Sequence, residues 1–439
     1  MAVFAYGDEK KLNTLRYGTE TEIANLIQTL KSDKDNSLDE ELIKLIETSK
    51  NKNVLTGILS FFADKEKSGL EERAARIIRE RDNEAGETVL AAVNYIGMLK
   101  SHESSSVLME MIDSEESRYL NPAIRALGKA GSGGRDNQNE ITDFLLDYYK
   151  NNNPNNENQR EIIVALGETR SPAAVSFLSG IINNNDERPV LKMAALDALS
   201  KIGDIDGLEA IIAAVTSADP NVRSSAIAAL GPFPGEEAEK AILDGFRDSY
   251  FRTRIGAAQA AGKRGMAEAV QFLRYRAEND DVPAVRDEAI KALGEISGSN
   301  SSGRSEALNI LNAIFSERKN SDRIRILASE MLIKVDSAAC APKVIIELDD
   351  AKQKNQNALY NGFLRTLGPA VSTAMEGLAR RFLASGSVTE KHYALDFILN
   401  NEFKNMAADV RLLLDEKKNG ASLSRKAGVT LDKLGLERE

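Results

Sequence analysis

Apolar positions recur along this chain with the period of a helix. The clearest stretch is Asp219-Pro220-Asn221-Val222-Arg223-Ser224-Ser225-Ala226-Ile227-Ala228-Ala229-Leu230-Gly231. Its Val222, Ala226, Ile227 and Leu230 fall on one helix face, and Asn221, Ser224 and Ser225 fall away from it. The string Arg, two residues, Ala, three residues, Leu or Ala, Gly returns from Arg254 to Gly262 and within Val285 to Gly294. A second amphipathic stretch precedes these, as in Glu236 to Arg247 (EEAEKAILDGFR) and Met266 to Glu278 (MAEAVQFLRYRAE). The repeating unit is therefore a helical hairpin.

With the closing glycine as anchor, equivalent positions fall at Gly97, Gly128, Gly167, Ser200, Gly231, Gly262, Gly294, Ile333, Gly368 and Leu399, between 31 and 39 residues apart. One residue before the anchor stand Ile96, Leu127, Leu166, Leu199, Leu230, Ala261, Leu293, Leu332, Leu367 and Ile398. Four before it stand Val93, Ile124, Ile163, Leu196, Ile227, Ala258, Ile290, Ser329, Leu364 and Leu395. A three-residue step puts both columns on one face, the expected core stripe. Five before the anchor the residue is usually alanine, which lets neighbouring helices approach closely. The anchor glycine is expected to end its helix in the left-handed conformation. Asp219-Pro220, Ser171-Pro172, Arg188-Pro189 and Asp280-Asp281 before Val282-Pro283 mark helix starts.

The unit Asp-Pro-x-Val-Arg-x-x-Ala-x-x-Ala-Leu-Gly resembles HEAT-like repeats of the phycobilin-lyase type, an α-solenoid family. The resemblance runs from about Thr88 to Leu399 and is strongest in the middle. It implies an all-α fold, an α-α superhelix of about 10 to 12 hairpins. The expected organisation is an N-terminal segment 1–20, degenerate repeats 21–87, the HEAT-like array 88–400 and capping helices 401–439. Three polar stretches, Gly131–Asn139, Asn151–Asn158 and Ser297–Gly303, are expected to be lengthened surface loops, because the repeat resumes in register after each. Val3-x-Ala5 matches the small-x-small end of a signal sequence but lacks the basic and apolar parts before it. It is a signal remnant or a chance match. The expectation leans to an exported or periplasmic protein over a cytoplasmic one.

Composition narrows the chemistry. Of 439 residues, 42% are apolar but only 5% aromatic, with no Trp, as suits close helix packing. Lys plus Arg is 57 against 67 for Asp plus Glu, a net charge of −10 that opposes general nucleic-acid binding. One cysteine, Cys340, rules out an internal disulfide and a multi-thiolate metal site. His102 and His392 are the only histidines. HEAT-repeat hydroxylases hold iron through several His-Glu dipeptides; His102-Glu103 stands alone here, so that ligand set does not carry over. No stretch reaches the ~20 apolar residues of a membrane helix. The glycine-rich run after Gly128 lacks the Gly-Lys-Ser/Thr of a phosphate loop and follows a helix. No catalytic residue, metal or cofactor is expected.

Two basic features remain. Eight residues before the anchor stand Lys192, Arg223, Arg254, Arg286, Arg325 and Lys391, which are expected to pair with carboxylates at adjacent helix starts such as Asp219 and Asp281. Between Gly245 and Arg276 lie seven basic residues, Arg247, Arg252, Arg254, Lys263, Arg264, Arg274 and Arg276, opposed by Asp248 and Glu268. Phe246, Tyr250, Phe251, Phe272 and Tyr275 are interleaved. Arg and Tyr dominate binding hot spots, so the seven cations with Tyr250 and Tyr275 form the candidate partner-binding set. The competing reading puts the rings in the core and the arginines in solvent. The expected function is a non-catalytic scaffold for a protein partner. A cofactor- or chromophore-handling, lyase-like protein is the alternative, and a nucleic-acid binder acting through the local basic patch is a third.

Overall fold

A computed structural model describes residues 6–100, 102–114, 118–152 and 154–438. The Val3-to-Ala5 stretch and the acidic pair Glu115-Glu116 lie outside the described residues. Among the described residues there are 27 α-helices, six short 3-10 turns and no strand. No described helix is long and apolar enough to cross a membrane. The chain forms two compact units, residues Met1–Ala238 and Glu239–Glu439.

Each unit is built from hairpins whose second helices stack on one another. In the first unit Gly86–Leu99 packs on Leu120–Ala130, then Asn156–Thr169, Pro189–Ile202 and Pro220–Ala229 follow in turn. In the second, Phe251–Arg264 packs on Pro283–Gly298, then Asp322–Val335 and Asn357–Leu367 follow. The first helices form a second layer, as where Val270–Asn279 packs on Pro283–Gly298 and on Arg304–Ser316. The core stripe is as expected. Every residue one and four before an anchor is buried, from Val93 and Ile96 to Leu395 and Ile398, and so are the alanines five before it. Ser329, the one hydroxyl in the stripe, donates to the Ile326 carbonyl at 2.6 Å and meets the Thr366 hydroxyl at 3.2 Å, so its polarity is satisfied. The start signals also act as expected: Asp219 accepts from the Asn221 and Val222 amides, with Pro220 in the first turn.

Gly231 and Gly368 stand at helix ends as expected, though neither is left-handed; the other five anchor glycines do something else. Gly97, Gly128, Gly167, Gly262 and Gly294 lie inside their helices, and none has a positive φ. A Cβ on Gly97 would come 2.8 Å from the Ala126 Cα, one on Gly128 2.7 Å from the Ala165 Cα, and one on Gly167 2.7 Å from the Ala198 Cα. The neighbouring alanine sits two residues before the next anchor, so each glycine is where one helix touches the backbone of the following one. The left-handed cap comes three residues later, at Lys100, Arg170, Gly203 and Gly265. Close packing, not chain reversal, fixes the glycine, because the helix must continue past the contact.

The expected loops also shrink. Gly131–Gly133 is a 3-10 turn, and a 17-residue helix, Arg135–Asn151, begins directly after Gly134. Asn137 is buried; its amide donates to the Ala130 carbonyl at 2.7 Å and its carbonyl accepts from Ser105. Asn155 caps the next helix by accepting from the Glu157 and Asn158 amides. Polar residues there cap helix ends, which look like loop composition from sequence.

The final hairpins are tied by one buried carboxylate. Glu390 closes a capping box with Ser387 and accepts from Lys352 Nζ at 2.5 Å and from the Tyr360 hydroxyl. Burial pushes its carboxyl up, but the bonds from Lys352, Tyr360 and Ser387 outweigh burial and bring it down to about 2 from 4.5. A depressed carboxylate stabilises the fold above its unfolded value and loses that contribution as pH falls from 4.5 towards 2. Lys352 is half exposed, which screens the interaction, so the contribution at neutral pH is about 2 kcal/mol. Urea unfolding of Glu390→Gln should show it less stable than the parent at pH 7, with the difference narrowing as pH falls from 4.5 towards 2.

Candidate functional site

The candidate segment occupies one and a half hairpins of the second unit. Glu236–Gly245 ends at buried Phe246, and Asp248 accepts from the Tyr250 amide at 2.7 Å to turn the chain. Phe251–Arg264 follows and closes at Gly265, whose φ of 64° favours glycine. A 3-10 turn, Ala267–Ala269, leads into Val270–Asn279.

The structure separates the nine candidates by role. Arg254 is buried and makes five hydrogen bonds: two to Asp280 at 2.8 Å, one to Asp281 at 3.1 Å and two to the Asp248 and Ser249 carbonyls at 3.1 Å. Burial pushes the Asp280 carboxyl up, but Arg254 and the Val282 amide hold it below the ordinary carboxylate range. In the first unit Arg223 repeats the carbonyl part, donating to Ser217 and Ala218 at 3.0 and 3.3 Å. In the second, Arg325 donates to the Phe315 carbonyl and to Glu347. These arginines therefore bind the chain that ends the first helix of their own hairpin. Arg254 and Arg325 also hold a carboxylate of the following hairpin. Arg264 is likewise engaged, with its side chain 11% exposed and bound to Glu239 at 2.7 Å.

Arg252 and Lys263 are exposed, form no ion pair among the described residues, and stand at opposite ends of the second helix. Arg252 lies 5.8 Å over the Phe251 ring, and half-buried Tyr250 meets the same ring edge-on. Arg247, Arg274, Tyr275 and Arg276 lie instead in the first-helix layer. There Arg247, Gln271, Phe272, Tyr275 and Arg276 line a groove of about 310 Å³. Arg247 sits 5.0 Å over Phe272 and Arg276 5.3 Å over Tyr275. Phe272 rests on buried Phe246, while Tyr275 is 58% exposed.

The local charge is smaller than the run of arginines implied. Asp244 pairs with Arg247, Glu278 with Arg274, and Asp280 with Arg276. These acids and Glu239 stand just outside residues 245–276. The i,i+3 and i,i+4 steps Asp244/Arg247, Arg274/Glu278 and Arg276/Asp280 were the signal available in the sequence. The exposed pairs are worth little, so Arg247 and Arg274 can exchange their acids for others.

No cluster of three or more His, Cys, Asp or Glu able to hold a metal ion occurs among the described residues. Cys340 is buried and its thiol is pushed up by that burial, which suppresses the reactive thiolate. His392 is held below its ordinary value, chiefly by burial. The arrangement offers stacked cations beside an exposed ring.

The repeat register and the whole sequence meet in one comparison: the profile of the spirochaete HEAT repeat proteins matches residues 15–430. The chain belongs to that family. No curated protein sequence matches this HEAT repeat protein. Among solved structures it is similar to Kap121p, at 10% identity over 97% of this chain and 53% of that one, with a TM-score of 0.44. The karyopherin Kap121p bound to the SUMO protease Ulp1p gives 12% identity, 98% and 55% coverage, and a TM-score of 0.45. Human deoxyhypusine hydroxylase in complex with glycerol gives 17% identity over 62% of this chain and 96% of that one, with a TM-score of 0.27. The HEAT repeat protein spans about half the length of the Kap121p chains.

Proposed function

We propose that this HEAT repeat protein is a non-catalytic scaffold that docks an acidic segment of a partner protein in the groove at Arg247, Phe272, Tyr275 and Arg276. The observation that carries the reading is Tyr275, a large ring left 58% exposed between two guanidinium groups stacked on aromatic faces. Stacking holds the cations flat and pre-ordered, which lowers the entropy cost of binding carboxylates. Arg254 and Arg264 take no part in this surface, because each is fixed to a neighbouring carboxylate. Arg252 and Lys263 lie in the other helix layer.

A photo-crosslinking residue at Gln271, expressed in the native host, identifies the protein that docks. Calorimetry with that purified partner then tests the surface. Arg247→Glu and Tyr275→Ala should each weaken binding by at least ~10-fold, about 1.4 kcal/mol, with melting temperature unchanged. Binding to the parent should weaken with added salt, and Arg247→Glu should flatten that dependence. Unchanged affinity in both variants overturns the assignment.

A further inference from the structure

A second site lies on the other helix layer of the same unit, away from the arginine groove. Second helices Pro283–Gly298, Asp322–Val335 and Asn357–Leu367 pack side by side there. Between them is a cavity of about 600 Å³. It exists because the last helix presents small residues: Ala358 lines the cavity, and one turn later Gly362 lets Ile326 lean against its backbone. A Cβ on Gly362 would stand 2.2 Å from the Ile326 Cδ1. Half-buried Ile326 and Leu327 form an apolar floor.

The polar lining is incompletely satisfied. Asp287 is only 8% exposed; one of its oxygens takes Arg323, and Oδ1 is buried with no donor. Asp322 and Glu330 also line the cavity and make no ion pair among the described residues. Arg365 is exposed and makes no ion pair among the described residues; it holds the same repeat position as Lys291 and Glu330, three residues before the anchor. Asp322 opens its helix, and Glu330 follows two turns later, ~12 Å along the axis. The lining also holds Lys291, which pairs with Glu288, so it carries three acids and three bases; with Arg323 held by Asp287, the unmatched groups are Asp322 and the Asp287 Oδ1 towards one end and Glu330 beside Arg365 towards the other. An occupant that completes it brings hydrogen-bond donors and positive charge to the first end. It lays an aliphatic stem on Ile326 and Leu327 and turns a carbonyl towards Arg365.

The geometry points to an arginine side chain of a partner polypeptide as that occupant. A guanidinium has enough donors to reach the Asp287 Oδ1 and Asp322 together. This site stands apart from the proposed arginine groove, and neither depends on the other.

The test is calorimetry on the full chain with N-acetyl-arginine-methylamide, whose blocked ends mimic a residue within a polypeptide. Saturable binding is expected. The citrulline counterpart, with the same shape and no charge, should not bind. Asp322→Asn and Asp287→Asn should each weaken binding by more than ~10-fold. Asp287→Asn also loosens Arg323, so Asp322→Asn is the cleaner variant. Agmatine lacks the carbonyl and should bind more weakly than blocked arginine. Tighter binding of agmatine overturns a polypeptide source. Absence of saturable binding, or equal binding of citrulline, shows that Asp287 Oδ1 is merely hydrated and overturns the site.

Discussion

Replacing Gly128 by valine destabilises the first unit by about 3 kcal/mol or more. The new Cβ would stand 2.7 Å from the Ala165 Cα and 2.9 Å from its carbonyl oxygen, both backbone atoms of the adjacent helix. Backbone cannot rotate away as a side-chain tip can, so the two helices must separate. Gly128→Ala sharpens the argument through its sign. In an open helix, alanine stabilises relative to glycine by about 1 kcal/mol. Gly180, in Val175–Asn183, has nothing within 4 Å of its would-be Cβ, so Gly180→Ala should raise stability. Gly128→Ala should lower it. Urea titrations followed by circular dichroism measure both. Two changes of the same sign would refute the packing role of the anchor.

The second large effect is at Arg254. Arg254→Ala leaves Asp280, whose side chain is fully buried, with only Arg276 and the Val282 amide, and strips donors from the Asp248 and Ser249 carbonyls. Truncating one partner of a buried pair costs about 3–5 kcal/mol, because the other charge stays desolvated. Arg254→Lys should recover only part, since an ammonium cannot bridge both carboxylate oxygens and two carbonyls at once. The double variant Arg254→Met with Asp280→Asn should be more stable than Arg254→Ala, as it removes the uncompensated charge and keeps an acceptor for Val282. Thermal unfolding of the three proteins decides this. A double variant no better than the single one would show that carbonyl capping, not the buried charge, dominates.

The same comparison explains why the candidate surface was only half legible. Seven basic residues within 245–276 read as a concentration of charge. Folding brings Glu239, Asp280 and Asp281 onto Arg264 and Arg254, so two of the strongest candidates become ties within and between hairpins. Tyr250 and Tyr275 are both tyrosines among arginines in the sequence. Only packing distinguishes Tyr250, half-buried on Phe251, from Tyr275, which projects beside Arg276. The cavity at Asp287 had no signal at all, since it depends on Ala358 and Gly362 of one helix facing Ile326 of another.

What the sequence by itself determined is the repeat: hairpin order, the Leu/Ile/Ala stripe and the Asp-Pro helix starts. These are local, because a period near 3.6 and a capping side chain act within one helix or the next few residues. What tertiary structure alone decided is the meaning of residues that look across helices. Most anchor glycines became contact points, Asn137 became a buried tie to Ser105 of the neighbouring hairpin, and the arginines divided into ties and free surface. Those outcomes rest on distances between residues some 30 positions apart, and a repeat fixes such distances only after its helices have packed.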